Sequence, residues 1–470
     1  MKTLEQLKSM LDCFGQSHLL SFWEELSPSQ QNGLREQIEN IQFEQLVSLL
    51  KQDDADSQLS GLAEKAQPPP AITLEQFNDP AVHRDAVELG SDAIAAGKVA
   101  MILTAGGQGS RLGFDHPKGM FPIGPVSGCS LYQMIVEKVI ARARQFGSSI
   151  PLYVMTSPPT HVESSNYLAE HNYFSCPPSD IRLFCQGVMP AVDADHKIIL
   201  KDKHSIFLSP DGHGGAVAAL TNSGCLQDML ERGIEYVFYG QVDNPLIQVC
   251  DPALIGFHIA RQSEMTTQVV RKNDPLQKVG NVVSVNERVQ IIEYSDLPVE
   301  FARQENEDGS LKLWAGSIAV HVFDTAFLQR VSQDADSLPF HRARKKVPFV
   351  DEQGKTQSPD QPNATKFERF IFDLLPQASN AIVCEVDPAE GFCAVKNSAP
   401  ADSETPEHVK AAISRLHRQW IRQAGVPVEE AVPVEISPLF AVDERQFAER
   451  YRKKEPIYEP TYFVDPGQGN

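Results

Sequence analysis

Apolar residues recur every three or four positions in two segments near the N-terminus, residues 4–14 and 34–41. This spacing predicts two amphipathic helices. The second helix also has a start signal, because Ser27 is suited to cap it, Pro28 to occupy its first position and Gln30 to complete a capping box. A helical segment is therefore expected at the beginning of the chain.

Short apolar runs replace this spacing in the centre of the chain. Residues 99–103, 152–156 and 236–240 are such runs, and they alternate with helical patterns between about residues 99 and 397. Strands that alternate with helices form a mostly parallel sheet that helices cover. The pattern therefore predicts an α/β fold.

Polar and proline-rich segments predict where the domains meet. Residues 51–57 are polar and residues 68–70 are consecutive prolines, which is typical of a semi-rigid connector. Another helix is expected to begin at Thr405-Pro406 and to end before Gly425. We expect a helical N-terminal segment with its connector at residues 1–94, a central domain at residues 95–400 and a small C-terminal domain at residues 401–470.

The first predicted strand leads into a loop that carries glycine and positive charge. Residues 103–118 read Leu-Thr-Ala-Gly-Gly-Gln-Gly-Ser-Arg-Leu-Gly-Phe-Asp-His-Pro-Lys. Because Gly106, Gly107 and Gly109 have no Cβ, they can adopt positive φ values and direct backbone N–H groups at phosphate oxygens. Arg111 and Lys118 add positive charge. The segment therefore predicts a clamp for a polyphosphate.

Other glycine loops match this segment less well. The spacing of Gly107, Gly109 and Gly113 is one residue too long for the dinucleotide fingerprint of an oxidoreductase, and no convincing acidic residue for the ribose follows about 20 residues later. The Gly-Lys-Ser/Thr of a Walker loop is also missing. An ordinary turn between a strand and a helix is the remaining alternative.

A second group of polar residues follows the run at 236–240. Asp243 would repel a nucleoside triphosphate unless a cation lay between them, and Mg²⁺ binds one or two carboxylates together with substrate phosphates. We therefore predict Asp243 as a ligand of Mg²⁺. The alternative is that Asp243 and Asn244 cap a turn before Pro245. Because ligands of open parallel sheets lie at the carboxyl ends of the strands, Asp243 and the glycine loop can converge there.

The glycine loop, together with Pro117-Lys-Gly-Met120, closely resembles the nucleotide loop of eukaryotic-type UDP-sugar pyrophosphorylases, and most closely that of the UDP-N-acetylglucosamine pyrophosphorylases. Further motifs match in family order and cover most of the chain: Phe184-Cys-Gln-Gly with Pro190-Ala, Pro210-Asp-Gly-His-Gly-Gly, Val242-Asp-Asn, Ile292-Glu-Tyr-Ser, Ala315-Gly, Lys345-Lys-Val-Pro, Lys366-Phe-Glu-Arg-Phe-Ile-Phe-Asp and Val395-Lys-Asn. The resemblance implies a doubly wound, Rossmann-like nucleotide-diphospho-sugar transferase fold. It also implies Mg²⁺ as the cofactor, and UTP and a sugar 1-phosphate as substrates.

The resemblance assigns roles to particular residues. It places the nucleotide on Leu103, Ala105, Gly106, Gly107, Gln186 and Gly212. It places the substrates on His213, Asp243, Gly280, Glu293 and Lys396. The cations that it assigns to catalysis are Arg111, Lys118 and Lys396.

Each assignment has a chemical reason. The Gln186 amide and a backbone N–H near Gly212 can satisfy the alternating acceptors and donor of a uracil edge. Glu293 can accept hydrogen bonds from two sugar hydroxyls, Gly280 allows the ring to approach, and Lys396 can hold the sugar phosphate. Taken alone, the Gln186 and Gly212 motifs would be turns, Glu293 a solvated strand residue and Lys396 a surface charge.

These parts predict transfer of a uridylyl group from UTP to the sugar phosphate, with N-acetylglucosamine 1-phosphate as the expected acceptor. Three positions differ from the acetylglucosamine pattern. His213, Trp314 and Ser317 stand where that pattern has asparagine, and Gly-His-Gly is similar to broad-specificity plant UDP-sugar pyrophosphorylases. A glucose-specific or broad-specificity enzyme is therefore the first alternative, and an inactive nucleotide-binding regulator is the second.

Composition limits the partners. The 470 residues carry a formal net charge of −20, which argues against general binding to nucleic acid or to anionic membranes. The eight cysteines are scattered without a zinc pattern, and the N-terminus lacks the apolar region of a signal peptide. We expect a cytoplasmic enzyme, and the sequence does not indicate its oligomeric state.

Overall fold

The computed structural model describes residues 2–51, 56–334, 338–401 and 403–465. Of the polar connector expected at residues 51–57, residues 52–55 lie outside the described residues. The chain forms two compact units: unit 1 consists of Met1–Ser57, Gln186–Ala216 and Leu338–Ile371, and unit 2 consists of Gln58–Cys185, Val217–Ser337 and Phe372–Asn470. The expected domain boundaries lie between residues 94 and 95 and between residues 400 and 401, and the two units divide the chain at other positions. The expected division into three domains stays a prediction.

Helices and strands alternate through most of the described residues. The α-helices are α1 (Leu4–Cys13), α2 (Pro28–Glu39), α3 (Phe43–Lys51), α4 (Asp56–Lys65), α5 (Leu74–Phe77), α6 (Pro80–Ala95), α7 (Leu131–Phe146), α8 (Pro158–Glu170), α9 (Ala216–Asn222), α10 (Cys225–Glu231), α11 (Pro252–Ala260), α12 (Val299–Ala302), α13 (Thr325–Ser332), α14 (Pro388–Gly391), α15 (Pro406–Gln423) and α16 (Glu444–Arg450). The β-strands are β1 (Ala71–Ile72), β2 (Val99–Thr104), β3 (Leu152–Thr156), β4 (Ile181–Cys185), β5 (Val188–Pro190), β6 (Leu200–Asp202), β7 (Ser205–Ile206), β8 (Leu208–Pro210), β9 (Tyr236–Gln241), β10 (Met265–Arg271), β11 (Asn281–Val285), β12 (Arg288–Ile292), β13 (Ala315–Asp324), β14 (His341–Lys345), β15 (Phe349–Val350), β16 (Thr356–Gln357), β17 (Ala364–Glu368), β18 (Ala381–Glu385), β19 (Val434–Ile436) and β20 (Thr461–Phe463).

A ten-stranded sheet forms the centre of unit 2, with its main strands in the order β1-β18-β10-β13-β9-β2-β3-β4. Most neighbours pair in parallel, among them β2 with β3 and with β9, and β10 with β18. β13 runs antiparallel to β10 and β9, and the hairpin of β11 and β12 lies beside it. The predicted strands are confirmed as β2, β3 and β9, and so is the α/β fold with a mostly parallel mixed sheet.

The ends of β2 and β9 determine where the glycine loop lies. Every residue of β2 is buried, as expected for a strand with both faces covered. At its carboxyl end Thr104 pairs with Gln241 of β9, and the N–H of Val242 donates to the Thr104 carbonyl at 3.0 Å. The segments that follow the two strands therefore leave the sheet side by side.

Unit 1 is assembled from three separate parts of the chain. The helices α1 and α2 contribute Leu7, Leu11 and Ile38 to an apolar core that also contains Val192 and Phe367. Among the described residues, the later segments contribute four antiparallel strand pairs: β5 with β8, β6 with β7, β14 with β17 and β15 with β16. The N-terminal helices are thus stabilised by burial against residues that are distant in sequence.

The predicted helix starts are confirmed. Ser27 and Gln30 form a capping box at α2, with Pro28 at the first position. Thr405 caps α15, and Gly425 follows its end with a φ of +77°. Among the described residues, every helix is too short or too polar to cross a membrane.

The last part of unit 2 contains α15, α16 and the parallel pair of β19 and β20. Glu435 of β19 is 2% exposed, and its carboxylate accepts hydrogen bonds from the N–H groups of Val126 and Ser127 at 2.8 and 2.7 Å. Charge-assisted bonds of this kind offset the cost of burying a carboxylate. They attach this C-terminal part to the segment that precedes α7.

Two glycines allow α6 and α11 to pack with their backbones in contact. A Cβ on Gly90 would lie 1.9 Å from the Pro252 carbonyl oxygen, and a Cβ on Gly256 would lie 1.7 Å from the Ala86 carbonyl oxygen. Neither side chain could be accommodated unless the helices moved apart. Glycine is therefore required at both positions by the distance between the helices.

We predict that Gly90→Ala lowers the free energy of unfolding by at least about 1–3 kcal/mol, the usual cost of overpacking. Gly61→Ala in α4 is the matched control, since no atom lies within 4 Å of a Cβ there and alanine favours the helix. Thermal unfolding followed by circular dichroism checks both variants. Equal melting temperatures for Gly90→Ala and wild type would contradict the close contact.

Candidate active site

The glycine loop returns to its own starting point. The N–H of Lys118 donates to the Gly107 carbonyl at 3.0 Å, and the N–H of Gly109 donates to the His116 carbonyl at 2.9 Å. At the base of the loop, Leu103 and Ala105 are buried, and the Ser157 hydroxyl donates to the Gly106 carbonyl at 2.6 Å. Gly107 is exposed, so the loop presents backbone at the surface of unit 2 while its ends are fixed.

The expected positive φ values at Gly106, Gly107 and Gly109 are wrong. The loop reaches the left-handed region at Gly113, where φ is +69°. Gly109 is required for space instead, because a Cβ there would lie 2.7 Å from the Phe114 carbonyl oxygen. The turn is therefore made later in the loop than the run of glycines suggests.

Lys118 joins the loop to the end of β9. Its Nζ lies 3.2 Å from Oδ2 of Asp243 and donates to the Val395 carbonyl at 3.1 Å. The two side chains are 17% and 13% exposed, so the ion pair is partly shielded from solvent. The structure thus brings together the predicted triphosphate lysine and the predicted magnesium ligand.

Lys396 lies one residue beyond this contact. The N–H of Val395 donates to the Asp243 carbonyl at 2.9 Å, and the Lys396 Nζ is 3.2 Å from Oε1 of Glu404. The neighbouring loop also contacts the glycine loop, since the N–H of Ser398 donates to the Arg111 carbonyl at 3.2 Å. The Arg111 residue itself is exposed. Unit 2 therefore presents Arg111, Lys118, Asp243 and Lys396 on connected segments.

The predicted sugar residues Gly280 and Glu293 flank the hairpin of β11 and β12. A Cβ on Gly280 would lie 3.0 Å from Oε1 of Glu293 and 3.8 Å from the Cβ of Ser317. The N–H of Ser317 donates to the Gly280 carbonyl at 2.8 Å. The structure therefore places Ser317 beside the two predicted sugar residues.

Trp314 makes different contacts. The guanidinium of Arg271 lies 4.3 Å from the centre of its ring, and Arg271 in turn donates to both carboxylate oxygens of Glu385, at 3.1 and 3.3 Å. The attraction between the cation and the indole face stabilises the ring in this orientation. Of the two residues that flank Ala315-Gly316, Ser317 is the one in contact with Gly280.

The predicted base-reading motifs meet in unit 1. β5 and β8 pair so that Val188 lies opposite Pro210, and the N–H of Asp211 donates to the Gly187 carbonyl at 3.1 Å. Gln186 is 8% exposed at one end of this pair. Gly212, at the same end, has a φ of +85°, and a Cβ there would lie 2.4 Å from a backbone oxygen. Glycine is required at this position by both its conformation and its surroundings.

His213 follows directly and is held as a neutral imidazole. Its Nδ1 accepts a hydrogen bond from the N–H of Ile371 at 3.2 Å, so Nε2 carries the proton. Burial, with a smaller contribution from His341, lowers the pKa of His213 to about 4. The side chain is therefore uncharged at neutral pH.

Two residues that make structural contacts in these segments were not predicted from the sequence to bind substrate. Arg369 donates its N–H to the Asp211 carbonyl at 2.7 Å and accepts from the N–H of Gly214 at 2.8 Å. Asn244 is 2% exposed and donates to the Gly391 carbonyl at 2.9 Å. Asn244 has no periodic or spacing signal that could reveal this, because its partner is distant in sequence. Arg369 lies within a motif that was recognised only as a whole.

The unit 2 residues can bind phosphate oxygens through Arg111, Lys118 and Lys396 and can offer one carboxylate, that of Asp243. In the part of the chain that the structure describes, no three His, Cys, Asp or Glu side chains group to hold a metal ion. A cation at Asp243 would therefore need further oxygen ligands from a substrate or from water.

Comparison with known proteins shows which family this chain resembles. A family model described as UTP–glucose-1-phosphate uridylyltransferase matches residues 42–419. The UDP-N-acetylhexosamine pyrophosphorylase-like protein 1 of Xenopus tropicalis is 36% identical over 433 residues, which cover 87% of this chain and 83% of that protein. The UDP-N-acetylglucosamine pyrophosphorylase of Saccharomyces cerevisiae is 36% identical over 439 residues, covering 90% of this chain and 92% of that protein.

A solved structure shows the same fold. The uridine diphosphate N-acetylglucosamine pyrophosphorylase from Trypanosoma brucei, in complex with an inhibitor, aligns with a TM-score of 0.83 at 24% identity and covers 100% of this chain and 99% of its own. The fold expected from the resemblance of the sequence motifs is therefore confirmed.

We predict that His213 makes the protein less stable as the pH falls from about 6.5 to about 4. The folded pKa of His213 lies below the ordinary value of 6.5, so the unfolded chain binds a proton in this range that the folded chain does not. The resulting stability is present above pH 6.5 and is lost as the pH falls towards 4.

Melting temperatures measured from pH 7 to pH 4.5 check this dependence. They should fall less steeply for His213→Asn than for wild type. His196→Asn is the matched control, because His196 is exposed and has a left-handed backbone that asparagine tolerates. Parallel curves for His213→Asn and wild type would contradict the assignment of a half-buried, neutral imidazole.

Proposed function

Because the chain belongs to the UTP–glucose-1-phosphate uridylyltransferase family, we propose that it is a UDP-N-acetylglucosamine pyrophosphorylase. It forms UDP-N-acetylglucosamine and pyrophosphate from UTP and N-acetylglucosamine 1-phosphate. The observation that carries the proposal is the pairing of Lys118 with Asp243 beside the glycine loop, with Lys396 adjacent to the Val395 contact.

The reaction is a direct displacement. A phosphate oxygen of the sugar 1-phosphate attacks the α-phosphorus of UTP in line, the bond from that phosphorus to the bridging oxygen breaks, and pyrophosphate leaves. The attacking oxygen is already an anion at neutral pH, so neither a general base nor a covalent enzyme intermediate is required. Catalysis then consists of positioning and charge neutralisation.

The residues divide this task. Lys118 and Arg111 neutralise the triphosphate, and the backbone of the half-buried Gly106 and the exposed Gly107 lies beside it. Lys396 holds the attacking phosphate. Since Lys118 is engaged by Asp243 in the free protein, binding of the triphosphate replaces one anionic partner of the ammonium with another. The lysine is therefore already directed at the site before the substrate arrives.

Magnesium fits the residues at the end of β9. The carboxylate of Asp243 is partly exposed and has a single cationic partner among the described residues, Lys118. We propose that Asp243 holds Mg²⁺ together with phosphate oxygens of UTP. When bound, the ion supplies positive charge to the triphosphate. The pairing of Asp243 with Lys118 and Val395 favours this role over the alternative of a turn cap.

N-acetylglucosamine 1-phosphate is the substrate that the relatives favour, since the curated yeast relative is named for it. His213 is compatible with this choice, because its imidazole is neutral and polar, as the amide of an asparagine is. Glu293 and Gly280 receive the sugar ring, and Gln186 with the backbone of Gly212 reads the uracil. The enzyme is further expected to act in the cytoplasm, without nucleic-acid or membrane partners.

The first test is pyrophosphate release from UTP and Mg²⁺ with a panel of sugar 1-phosphates. We expect turnover to be fastest with N-acetylglucosamine 1-phosphate. Asp243→Asn keeps the side-chain shape but removes the charge, and it should lower kcat by about 100-fold or more, a loss typical of one electrostatic group. Asp115→Asn, which removes an exposed carboxylate from the glycine loop, is the matched control.

Each outcome of this panel identifies one alternative. Turnover led by glucose 1-phosphate would overturn the sugar assignment and retain the mechanism. Absence of turnover with every sugar would favour a nucleotide-binding regulator. Full activity of Asp243→Asn would contradict the role of the carboxylate.

A further prediction concerns sugar preference. Because Ser317 contacts Gly280 and Trp314 is held by Arg271, Ser317→Asn should raise the preference for N-acetylglucosamine 1-phosphate over glucose 1-phosphate by about 10-fold, the effect of one hydrogen bond. Trp314→Asn should leave the ratio within about 3-fold of wild type. The ratio of kcat/KM values measures the preference, and the reverse ranking of the two variants would contradict the contacts.

A further inference from the structure

Asn244 connects the end of β9 to a distant segment through both groups of its amide. Its Nδ2 donates to the Gly391 carbonyl at 2.9 Å, and its Oδ1 accepts from the N–H of Cys393 at 3.0 Å. The residue is 2% exposed. Its side chain therefore does not cap the local turn, but binds a backbone stretch almost 150 positions later in the chain.

A second set of bonds continues this connection towards the charged residues. The N–H of Val395 donates to the Asp243 carbonyl at 2.9 Å, and Lys118 donates to the Val395 carbonyl at 3.1 Å. Asp243 adjoins Asn244 in the chain, and Lys396 adjoins Val395. The adjacent residues Asp243 and Asn244 are thus both hydrogen-bonded to segment 391–395, and Lys396 is the next residue after that segment.

The two sides of this connection differ in how firmly they are held. Asp243 follows β9, which pairs with β2 in the sheet, and Val242 is bonded to Thr104. Segment 391–395 begins at the last residue of α14, a helix of four residues, and continues into the loop before α15. The Asn244 amide supplies two of the bonds that fix the less regular segment to the sheet.

We propose that Asn244 is a positioning residue that fixes the Lys396 ammonium relative to the Asp243 carboxylate. This role rests on the proposed function, in which Lys396 holds the attacking phosphate and Asp243 serves the triphosphate. An in-line displacement requires the attacking oxygen and the α-phosphorus to be aligned, and a misplacement of about 1 Å costs about 100-fold in rate. Asn244 therefore acts on the alignment of the two substrates rather than on either substrate directly.

Asparagine is well suited to this position. A serine side chain is too short to reach both backbone groups, and an aspartate can accept from Cys393 but would oppose the Gly391 carbonyl with negative charge. Asn244→Ser and Asn244→Asp thus remove the connection in two ways. Asn363→Ser is the matched control, because the Asn363 amide makes the same kind of paired contact, with the N–H and carbonyl of Val347 at 2.7 and 2.9 Å, and has no predicted role in the reaction.

The test measures binding and turnover separately in the full-length protein. For Asn244→Ser we expect kcat to fall about 100-fold, while the dissociation constant of UTP, measured by calorimetry with Mg²⁺, stays within about 3-fold of wild type because β9 holds Asp243. Asn363→Ser should retain kcat. A loss of UTP affinity equal to the loss of kcat, or equal kcat losses in Asn244→Ser and Asn363→Ser, would overturn the positioning role. If Asn244→Ser does not fold, Asn244→Asp provides the same comparison.

A double variant separates this role from a general loss of stability. If Asn244 acts through Lys396, Asn244→Ser should lower kcat much less in a Lys396→Met background than in wild type. If the loss of kcat in the double variant equals the product of the losses in the two single variants, the proposal is contradicted. Wild type that turns over no sugar phosphate would overturn the proposed function and this role together, whereas an active wild type with unaffected Asn244 variants would overturn the role alone.

Discussion

The ion pair between Lys118 and Asp243 is the interaction on which the rest of the candidate site depends. Its two charges lie 3.2 Å apart at the ends of segments that leave β2 and β9. Neither charge is fully solvated, so each would be costly to keep there without the other. Because the two charges neutralise each other, the Asp243 carboxylate and the Lys118 ammonium can lie side by side in the free protein. They are then in place for the proposed cation and triphosphate. The glycine loop, closed by the bond from Lys118 to Gly107, takes its shape from the same residue.

Local signals in the sequence predicted the elements that local chemistry determines. The apolar runs of β2, β3 and β9 and the caps at Ser27 and Thr405 are confirmed because each depends on residues within a few positions. The φ values of the glycine loop were predicted wrongly. A run of glycines permits many conformations, and the choice among them is made by contacts such as that between Gly109 and Phe114.

Non-local contacts explain what sequence patterns could not reveal. Leu7 and Phe367 share one core, so the N-terminal helices form a unit with residues more than 300 positions away rather than a contiguous segment. The antiparallel β13, inserted between β9 and β10, has the same apolar character as its parallel neighbours. The Asn244 amide likewise appears in the sequence as a turn residue before a proline. Only its partners at Gly391 and Cys393 show that it spans two segments.

The sugar preference depends on how polar groups are satisfied rather than on the space that is available. An acetamido group brings one carbonyl acceptor and one N–H donor, and a site selects it strongly only if both find partners. In unit 1, the pKa of about 4 keeps the imidazole of His213 uncharged at neutral pH. The Ser317 hydroxyl already accepts from the N–H of Ala319 at 3.3 Å, and an oxygen with two lone pairs can accept once more. The proposed sugar residues of unit 2 therefore keep an acceptor at position 317, in a hydroxyl whose shape differs from that of an amide. The choice of sugar can therefore change without any change in the displacement at phosphorus.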